Sequence, residues 1–291
     1  MTKAARVIRG EKFRSRIRRV SQNDPDSEIT DTLAVEEPLE IRLGFSENGR
    51  KIHRAISITM RTPGNDFELA VGFLFTEGIL RSKNEIRAIK HCGRFPNNQN
   101  TVRVDLAGDV EIDLKKLERN FYTTSSCGVC GKSSLEALQV AGAEPLEKSQ
   151  FPEVPARIIH EFPRKLLEKQ TVFDETGGLH AAALFDTNGD LLALREDVGR
   201  HNAVDKLIGA GFLAGDLPFS DRILFLSGRA SFELLQKAVM ARLPVIAAVG
   251  APSSLAVEAA RKFGVALCGF VRDGRFNIYA GKERIKTAGG H

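Results

Sequence analysis

Apolar residues at every second position predict a β-hairpin near the start of the chain. The alternation covers residues 39–43 and resumes over 56–60. An Asn-Gly pair at 48–49, typical of tight turns, lies between the two runs. Because side chains on a strand point to opposite faces in turn, each run has one face suited to a core.

A helix and a further strand are predicted after this hairpin. Asp66 is placed to cap a helix that ends near Gly78. Alternation at 102–106 predicts another strand, followed by a short helical piece at 114–121. Residues 26–120 are therefore predicted to form a small α+β domain.

The middle of the chain contains a second hairpin signal. An Asn-Gly pair at 188–189 separates the apolar runs 181–185 and 191–194. Before it, residues 156–169 have the mixed pattern of a surface helix.

Short, continuously apolar runs distinguish the last third of the chain. Such runs are typical of strands that are buried on both faces of a parallel sheet. The predicted order is strand 223–226, helix 232–241, strand 245–249, helix 255–263, and strands 265–271 and 276–279. We therefore predict an α/β domain over residues 121–291, with a parallel-strand sheet covered by helices.

Basic residues are concentrated at the N-terminus. The chain has 291 residues and a formal net charge of +5, and much of the excess lies within the first twenty residues. Such a run could contact nucleic acid or an acidic partner. We favour the simpler interpretation of residues 1–25 as a basic, flexible, solvated tail.

The lengths of the apolar runs and the number of cysteines indicate the cellular compartment. No apolar run approaches a membrane span, and the N-terminus lacks the hydrophobic core of a signal peptide. The expected location is therefore the cytoplasm. Four cysteines are too few for a disulfide framework in a chain of this length, so we expect reduced thiols.

The strongest chemical signal is a Cys-x-x-Cys loop. Cys127 and Cys130 are each followed by glycine, and hydroxyl residues and a helix-like run flank the loop. Glycine permits free backbone turning, and the N-terminus of a following helix favours thiolate over thiol. Since thiolate is the reactive form, we interpret the loop as a working centre rather than as space-filling.

Spacing leaves three uses of these thiols: half of a zinc site, a redox dithiol, or a sulfur carrier. A structural zinc site needs further ligands, yet there is no second cysteine pair, and His180-Ala-Ala182 lacks the glutamate of zinc deaminases. A thioredoxin-like motif needs a preceding strand, and none is clear here. A sulfur carrier needs one mobile thiolate, and that interpretation fits best.

Two Ser/Gly-rich loops follow predicted parallel strands, at 227–231 and 250–254. Ligands of open α/β sheets bind beyond the carboxyl ends of the strands, where such loops offer N–H groups and hydroxyls to an anion. Arg229 and Arg272 could add charge-assisted bonds, and Phe270 and Phe276 could lie beside a flat ring. Simple helix capping by Ser231 and Ser253 is equally compatible with the pattern.

A dense polar cluster at 195–206 admits two interpretations. His180 and His201 could carry protons or contact a ligand, although structural histidines are commoner. The rest of the cluster could be a capped, salt-bridged helix start. Spacing does not decide between these roles.

Five separated motifs follow one another along the chain. They are Thr124-Ser-Ser-Cys-Gly-Val-Cys-Gly131, Thr176-Gly-Gly-Leu-His180, Arg195-Glu-Asp-Val-Gly-Arg-His-Asn202-Ala-Val-Asp-Lys206, Leu226-Ser-Gly-Arg-Ala-Ser231 and Gly269-Phe-Val-Arg-Asp-Gly-Arg275. In this order, and over roughly residues 30 to 285, they resemble the FdhD family, the sulfur carrier proteins needed for formate dehydrogenase activity.

The resemblance implies a sulfurtransferase of molybdenum-cofactor maturation. A cysteine desulfurase would load a persulfide on Cys127, with Cys130 as its partner thiol. The sulfur would pass to the bis(molybdopterin guanine dinucleotide) cofactor before insertion into formate dehydrogenase. The resemblance also implies a homodimer, no permanently bound metal, and a cytidine-deaminase-like three-layer fold for the larger domain.

The expected cofactor-binding residues come from two of the motifs. The family's contact near the C-terminal strand maps onto Phe270, Val271, Arg272, Asp273, Gly274 and Arg275. A guanine dinucleotide also suits the loop of Ser227, Gly228 and Arg229, because it brings phosphates and flat rings. The alternatives are a non-catalytic chaperone that binds the cofactor or the apo-enzyme, and a zinc-binding module.

Overall fold

The structure, a computed structural model, describes residues 10–47, 49–93, 98–108, 143–146 and 153–287. The predicted helical piece at 114–121 and the Cys-x-x-Cys loop lie outside these ranges. Among the described residues, no helix is both long and apolar enough to cross a membrane.

The described residues of the N-terminal part form six strands and one α-helix. They are β1 (Lys12–Arg19), β2 (Ser27–Ala34), β3 (Glu37–Glu47), β4 (Arg50–Arg61), α1 (Asp66–Thr76), β5 (Ile86–His91) and β6 (Thr101–Leu106). The last four strands form a sheet in the order β4-β3-β6-β5, in which only β3 and β6 are parallel. The predicted hairpin of β3 and β4 and the predicted strand β6 are confirmed.

The predicted cap of α1 is wrong by one residue. Asn65 occupies the cap position in the left-handed conformation, and Asp66 begins the helix. The Asp66 carboxylate instead accepts hydrogen bonds from Arg61, at 2.9 Å from Nε and 3.1 Å from Nη2. Burial of Arg61 explains this, since a buried guanidinium requires a charged partner.

Part of the expected basic tail forms a strand. β1 pairs antiparallel with β2, and Phe13 and Ile17 lie opposite Leu33 and Ile29. These apolar pairs share one face of the ribbon, an alternation that the surrounding arginines obscure in the sequence. The ordered strand therefore replaces the flexible tail predicted for this stretch.

The C-terminal part combines a six-stranded sheet with five helices among the described residues. The elements are β7 (Val154–Pro155), α2 (Ala156–Leu167), α3 (Thr171–Thr176), β8 (His180–Phe185), β9 (Leu191–Asp197), α4 (Arg200–Ala214), β10 (Ile223–Leu226), α5 (Phe232–Met240), β11 (Val245–Ala248), α6 (Ser254–Phe263), β12 (Ala266–Arg272), β13 (Arg275–Ala280) and β14 (Ile285–Lys286). The sheet order is β13-β12-β11-β10-β8-β9, and β7 pairs separately with β14.

The predicted parallel sheet is correct only at its centre. β10, β11 and β12 are parallel, whereas β8, β9 and β13 are antiparallel to their neighbours. Tight turns join β8 to β9 and β12 to β13, and a tight turn can join only antiparallel strands. The domain is thus a mixed α/β structure.

Helices cover both faces of this sheet. Leu224, Ile246 and Leu267 pack on one side in a buried cluster with α4, α5 and α6. On the other side, Phe225 packs with Phe162 of α2. This two-sided burial accounts for the continuously apolar runs in the sequence.

Helix α1 connects the two parts of the molecule. One of its faces packs on β3 and β6, and Phe212 of α4 belongs to the same buried cluster. The predicted domain boundary near residue 120 falls outside the described ranges and stays a prediction.

Candidate functional site

The structure places a cavity of about 500 Å³ at the carboxyl ends of the parallel strands. Ser227 follows β10, Val249 follows β11, and Arg272 ends β12, and all three line the cavity. His180, the first residue of the antiparallel strand β8, lies at the same edge. This is the position expected for a ligand of an open α/β sheet.

The opposite wall of the cavity comes from α2 and from the segment that leads to β8. Pro163 and Leu166 of α2, together with Phe173 of α3, supply apolar surface. Gly177 closes α3 in the left-handed conformation, with φ 64°, and so turns the chain back toward the sheet. The cavity therefore has one polar wall and one apolar wall, as small-molecule sites usually have.

Three of the nine predicted cofactor-binding residues line this cavity: Ser227, Val271 and Arg272. Gly228 is next to the rim, where a Cβ would stand 3.3 Å from the His180 ring. The other five are Arg229, Phe270, Asp273, Gly274 and Arg275, which are exposed and are not among its lining residues.

The backbone at Phe270 has an unusual conformation. It has φ 53°, a left-handed conformation that is uncommon for a bulky residue, and the pairing of β12 with β13 is irregular there. Phe270 is 42% exposed, whereas Phe276 packs against His160, with ring centroids 5.0 Å apart. The predicted position of a flat ring beside Phe270 and Phe276 stays a prediction.

Hydrogen bonds fix the polar wall of the cavity. The Ser227 hydroxyl oxygen accepts from the Ala181 amide at 2.8 Å, which ties the β10 loop to β8. One terminal nitrogen of Arg272 donates to the Val249 carbonyl at 2.6 Å. A guanidinium has five N–H donors, so Arg272 retains donors for an anion.

The capping alternative holds for one serine and fails for the other. The Ser253 hydroxyl accepts from the Ala256 amide at 3.2 Å and caps α6. Ser231 makes no side-chain cap bond at the start of α5. Its hydroxyl lies 3.4 Å from Nε2 of His201.

His180 lines the cavity, and His201 lies close enough for its charge to act on His180. Burial lowers the pKa of His180, and the positive charge of Arg200 and the nearby His201 act in the same direction. His201 Nε2 lies 2.7 Å from a carboxylate oxygen of Glu233, and that hydrogen bond lowers the pKa of Glu233. The lowered pKa thus favours the neutral form of His180 beside the cavity, whereas His201 contacts the Glu233 carboxylate.

Most of the polar cluster at 195–206 is structural. Arg195 forms a two-pronged ion pair with Glu68 of α1, at 2.5 and 2.8 Å. Glu196 accepts from the Val172 and Phe173 amides and so caps α3. These contacts join the N-terminal part and the cavity wall to β9.

The core of that cluster is a buried ion pair. Lys206 Nζ lies 2.7 Å from Asp197 Oδ2, and both side chains are almost fully buried. Asp197 also accepts from the amides of Thr62 and Gly199 and from Asn202. The salt-bridged helix start is therefore the correct interpretation for these residues.

Sequence reasoning missed the apolar wall. Phe173 and Leu179 line the cavity, yet their pattern is only that of a helix end and a loop. The available signal was the Gly177-Gly178 pair. This pair predicts a turn, but it does not predict that the residues before the turn line a cavity. Cys127 and Cys130 lie outside the described residues, so the structure gives no position for either thiol.

Comparisons with known proteins agree on one family. The family model described as the FdhD/NarQ family matches residues 34–286. A protein from Streptomyces coelicolor named "Sulfur carrier protein FdhD" is 51% identical over 259 residues, which cover 88% of this chain and 89% of the relative. A protein of the same name from Mycobacterium tuberculosis is 47% identical and covers 92% of this chain and 97% of its own.

A solved structure is also similar. It comes from Desulfotalea psychrophila and is assigned as a formate dehydrogenase accessory protein. The TM-score is 0.69 at 25% identity, with 94% of this chain and 99% of the other covered.

Proposed function

Because this chain belongs to the FdhD/NarQ family, we propose that it is a sulfurtransferase that supplies sulfur for the activity of formate dehydrogenase. The names of the relatives from Streptomyces coelicolor and Mycobacterium tuberculosis support sulfur carriage. The assignment of the Desulfotalea psychrophila structure supports the link to formate dehydrogenase. The cavity at the carboxyl ends of β10, β11 and β12 is the observation that carries the proposal, because it gives a sulfur acceptor a place to bind.

The first step is sulfur loading on Cys127. Its thiolate attacks the terminal sulfur of a persulfide held by a cysteine desulfurase. A new S–S bond forms on Cys127, the donor S–S bond breaks, and the electron pair leaves with the donor thiolate. No oxidant is needed, because one persulfide replaces another. Cys130 is the partner thiol three residues along the chain.

The second step is transfer to the acceptor, the bis(molybdopterin guanine dinucleotide) cofactor, which is the substrate here. The Cys130 thiolate attacks the Cys127 sulfur, the persulfide bond breaks, and the outer sulfur passes to the acceptor as sulfide. The Cys127–Cys130 disulfide that forms is then reduced by an external thiol. A volume of about 500 Å³ lies within the usual range of small-molecule sites and suits one guanine nucleotide, with the remainder of the cofactor projecting outward. Arg272 and the hydroxyl of Ser227 face phosphate oxygens in this arrangement. Phe173 and Leu166 offer apolar surface to the base.

The neutral state of His180 suits this role. A neutral imidazole can both donate and accept a hydrogen bond, so it can orient a nucleotide without adding a second positive charge next to Arg200. The same proposal includes a cytidine-deaminase-like three-layer fold for the larger domain, a homodimer and a cytoplasmic location.

The test is the intact mass of the purified chain after incubation with a cysteine desulfurase and cysteine. We expect a gain of one sulfur atom that is lost on reduction and is absent from the Cys127→Ala variant. Formate dehydrogenase matured with that variant should be present but inactive. If the variant with both Cys127→Ala and Cys130→Ala matured the enzyme at the normal rate, the chain would be a non-catalytic cofactor-binding chaperone instead.

A further inference from the structure

The four-stranded sheet has an outward face that the sulfur-transfer proposal does not use. Its inward face packs Leu43 and Val104 against α1. Arg42 lies opposite Arg103 on the neighbouring strand, and Lys90 lies opposite Arg103 on the other side. Because residues directly opposite share a face, these three cations stand side by side on the outward face. We call this surface the outer sheet face.

One carboxylate at the centre of the outer sheet face is surrounded by cations. Asp105 is only 4% exposed and lies 2.8 Å from Arg103, 3.4 Å from Lys90 and 4.0 Å from Arg87. Burial raises the pKa of Asp105, but the hydrogen bond and charge of Arg103, together with Lys90, outweigh burial and lower it. Asp105 therefore stays ionised and holds the cations in place.

The carboxylates of the outer sheet face do not neutralise all of its cations. Arg42 lies on the same face, and its Nε is buried with no hydrogen-bond partner among the described residues. A second carboxylate, Glu40, is opposite Thr101. Four cations (Arg42, Arg87, Lys90 and Arg103) therefore face two carboxylates, which leaves an excess of positive charge on an exposed surface.

Apolar side chains continue the outer sheet face on the edge strand β4. Ile58 is paired with Glu40, and Met60 with Pro38, so both belong to this face. Ile58 is 68% exposed and Met60 is 46% exposed. Exposed apolar residues beside arginines are typical of protein–protein interfaces, in which Arg and Met are enriched.

The charges and the apolar residues of the outer sheet face favour one kind of binding partner. A second copy docked face to face about a two-fold axis would bring the same cations together, which is unfavourable. Single-stranded nucleic acid is bound through stacking aromatic rings, and none of these outward residues is Phe, Tyr or Trp. An acidic protein surface complements the cations and can cover Ile58 and Met60.

We propose that the outer sheet face is a docking surface for a protein partner that presents an acidic patch next to an apolar residue. Arg42, Lys90 and Arg87 pair with the carboxylates of the partner, and Ile58 and Met60 pack against its apolar residue. The face is built on strands, so it is already formed before the partner arrives. The docking proposal depends on the proposed function only for the choice of the two proteins that are tested as partners.

The experiment measures the affinity of the full chain for purified cysteine desulfurase and, separately, for purified formate dehydrogenase, at low and high salt. The double variant Arg87→Gln/Lys90→Gln should weaken binding to one of them about tenfold and reduce the salt dependence. Ile58→Asp should weaken the same complex at either salt concentration. The matched control, Lys169→Gln/Lys282→Gln, removes two exposed charges elsewhere and should bind like the native chain.

Unchanged affinity of both surface variants for both proteins, or no binding of the native chain to either, overturns the docking proposal. Sulfur loading of Cys127 from inorganic polysulfide needs no docking and is followed by intact mass. A chain that accepts sulfur from polysulfide while the surface variants bind normally would therefore contradict the docking surface alone. Failure of Cys127 to load from polysulfide or from the desulfurase would contradict the sulfur-transfer proposal instead.

Discussion

Gly72 of α1 and Gly209 of α4 stand opposite each other where the two helices cross. A Cβ on Gly72 would lie 1.9 Å from the Asp205 carbonyl oxygen, and a Cβ on Gly209 would lie 1.9 Å from that of Glu68. The two backbones approach so closely because neither glycine carries a side chain. This crossing fastens the N-terminal sheet to the domain that contains the cavity.

Replacing either glycine by alanine should destabilise the protein. Alanine favours a helix by about 1 kcal/mol over glycine, but here its methyl group would overlap a backbone atom that cannot move alone. We expect Gly72→Ala and Gly209→Ala each to lower the free energy of unfolding by at least about 2 kcal/mol, measured by urea denaturation. Gly108→Ala is the matched control, since nothing lies within 4 Å of its Cβ. An equal effect of all three changes would contradict the close crossing.

The close crossing also marks a limit of sequence analysis. Periodicity predicted α1 and the strands β3, β4 and β6, because local alternation follows directly from burial of one face. It did not predict β2 or β5. Periodicity did not predict the contact of α1 with α4. The glycines that permit this contact gave no signal, since a glycine within a helix is also common in loosely packed positions. The strand β1 was missed for a related reason: Arg14, Arg16 and Arg18 dominate its composition and hide the pairing of Phe13 with Leu33.

Removing one partner of the buried Asp197–Lys206 pair should cost much more than removing an exposed pair. Lys206→Met would leave the Asp197 carboxylate, which is 0% exposed, without its cation. We expect a loss of about 3 to 5 kcal/mol in the free energy of unfolding. Asp197→Asn combined with Lys206→Met should recover part of this loss, because no uncompensated charge remains.

The exposed pair of Arg164 and Glu168 provides the comparison for that prediction. Its nitrogen and oxygen are 2.6 Å apart, but the side chains are 63% and 55% exposed. Water screens such a pair, so Arg164→Ala should cost no more than about 1 kcal/mol. A similar loss for Lys206→Met and Arg164→Ala would show that burial does not govern the strength of the Asp197 pair.

His180 should make stability depend on pH. Burial lowers its pKa below the ordinary value of 6.5, so between these two pKa values the unfolded chain binds more protons than the folded chain. The free energy of unfolding therefore rises with pH in this window, and stability is lost as the pH falls below 6.5. Unfolding at pH 8 and at pH 5.5 should show a smaller acid loss for His180→Asn than for the native chain. Equal losses in both proteins would exclude His180 as a source of the acid sensitivity.

The sequence located the polar wall of the cavity better than the apolar wall. Ser227 and Arg272 follow buried strands, and the carboxyl edge of a parallel sheet brings such positions together whatever the loops contain. Phe173 reaches the cavity because α2 folds back over the strand ends. The chain then reverses direction after α3. The folding back of α2 depends on tertiary packing of Phe162 against Phe225, which no local pattern contains.

Guanosine diphosphate should bind the cavity through Arg272. One nitrogen of this side chain already donates to the Val249 carbonyl, which holds the guanidinium at the cavity and leaves further donors for a phosphate. We expect Arg272→Ala to raise the dissociation constant about tenfold or more in isothermal titration, with a smaller effect at high salt. Arg261→Ala removes a charge at an exposed position where the side chain donates to the Tyr279 carbonyl at 3.4 Å, and this variant should bind like the native chain. Equal affinities of the Arg272 and Arg261 variants would place the nucleotide away from the ends of β11 and β12.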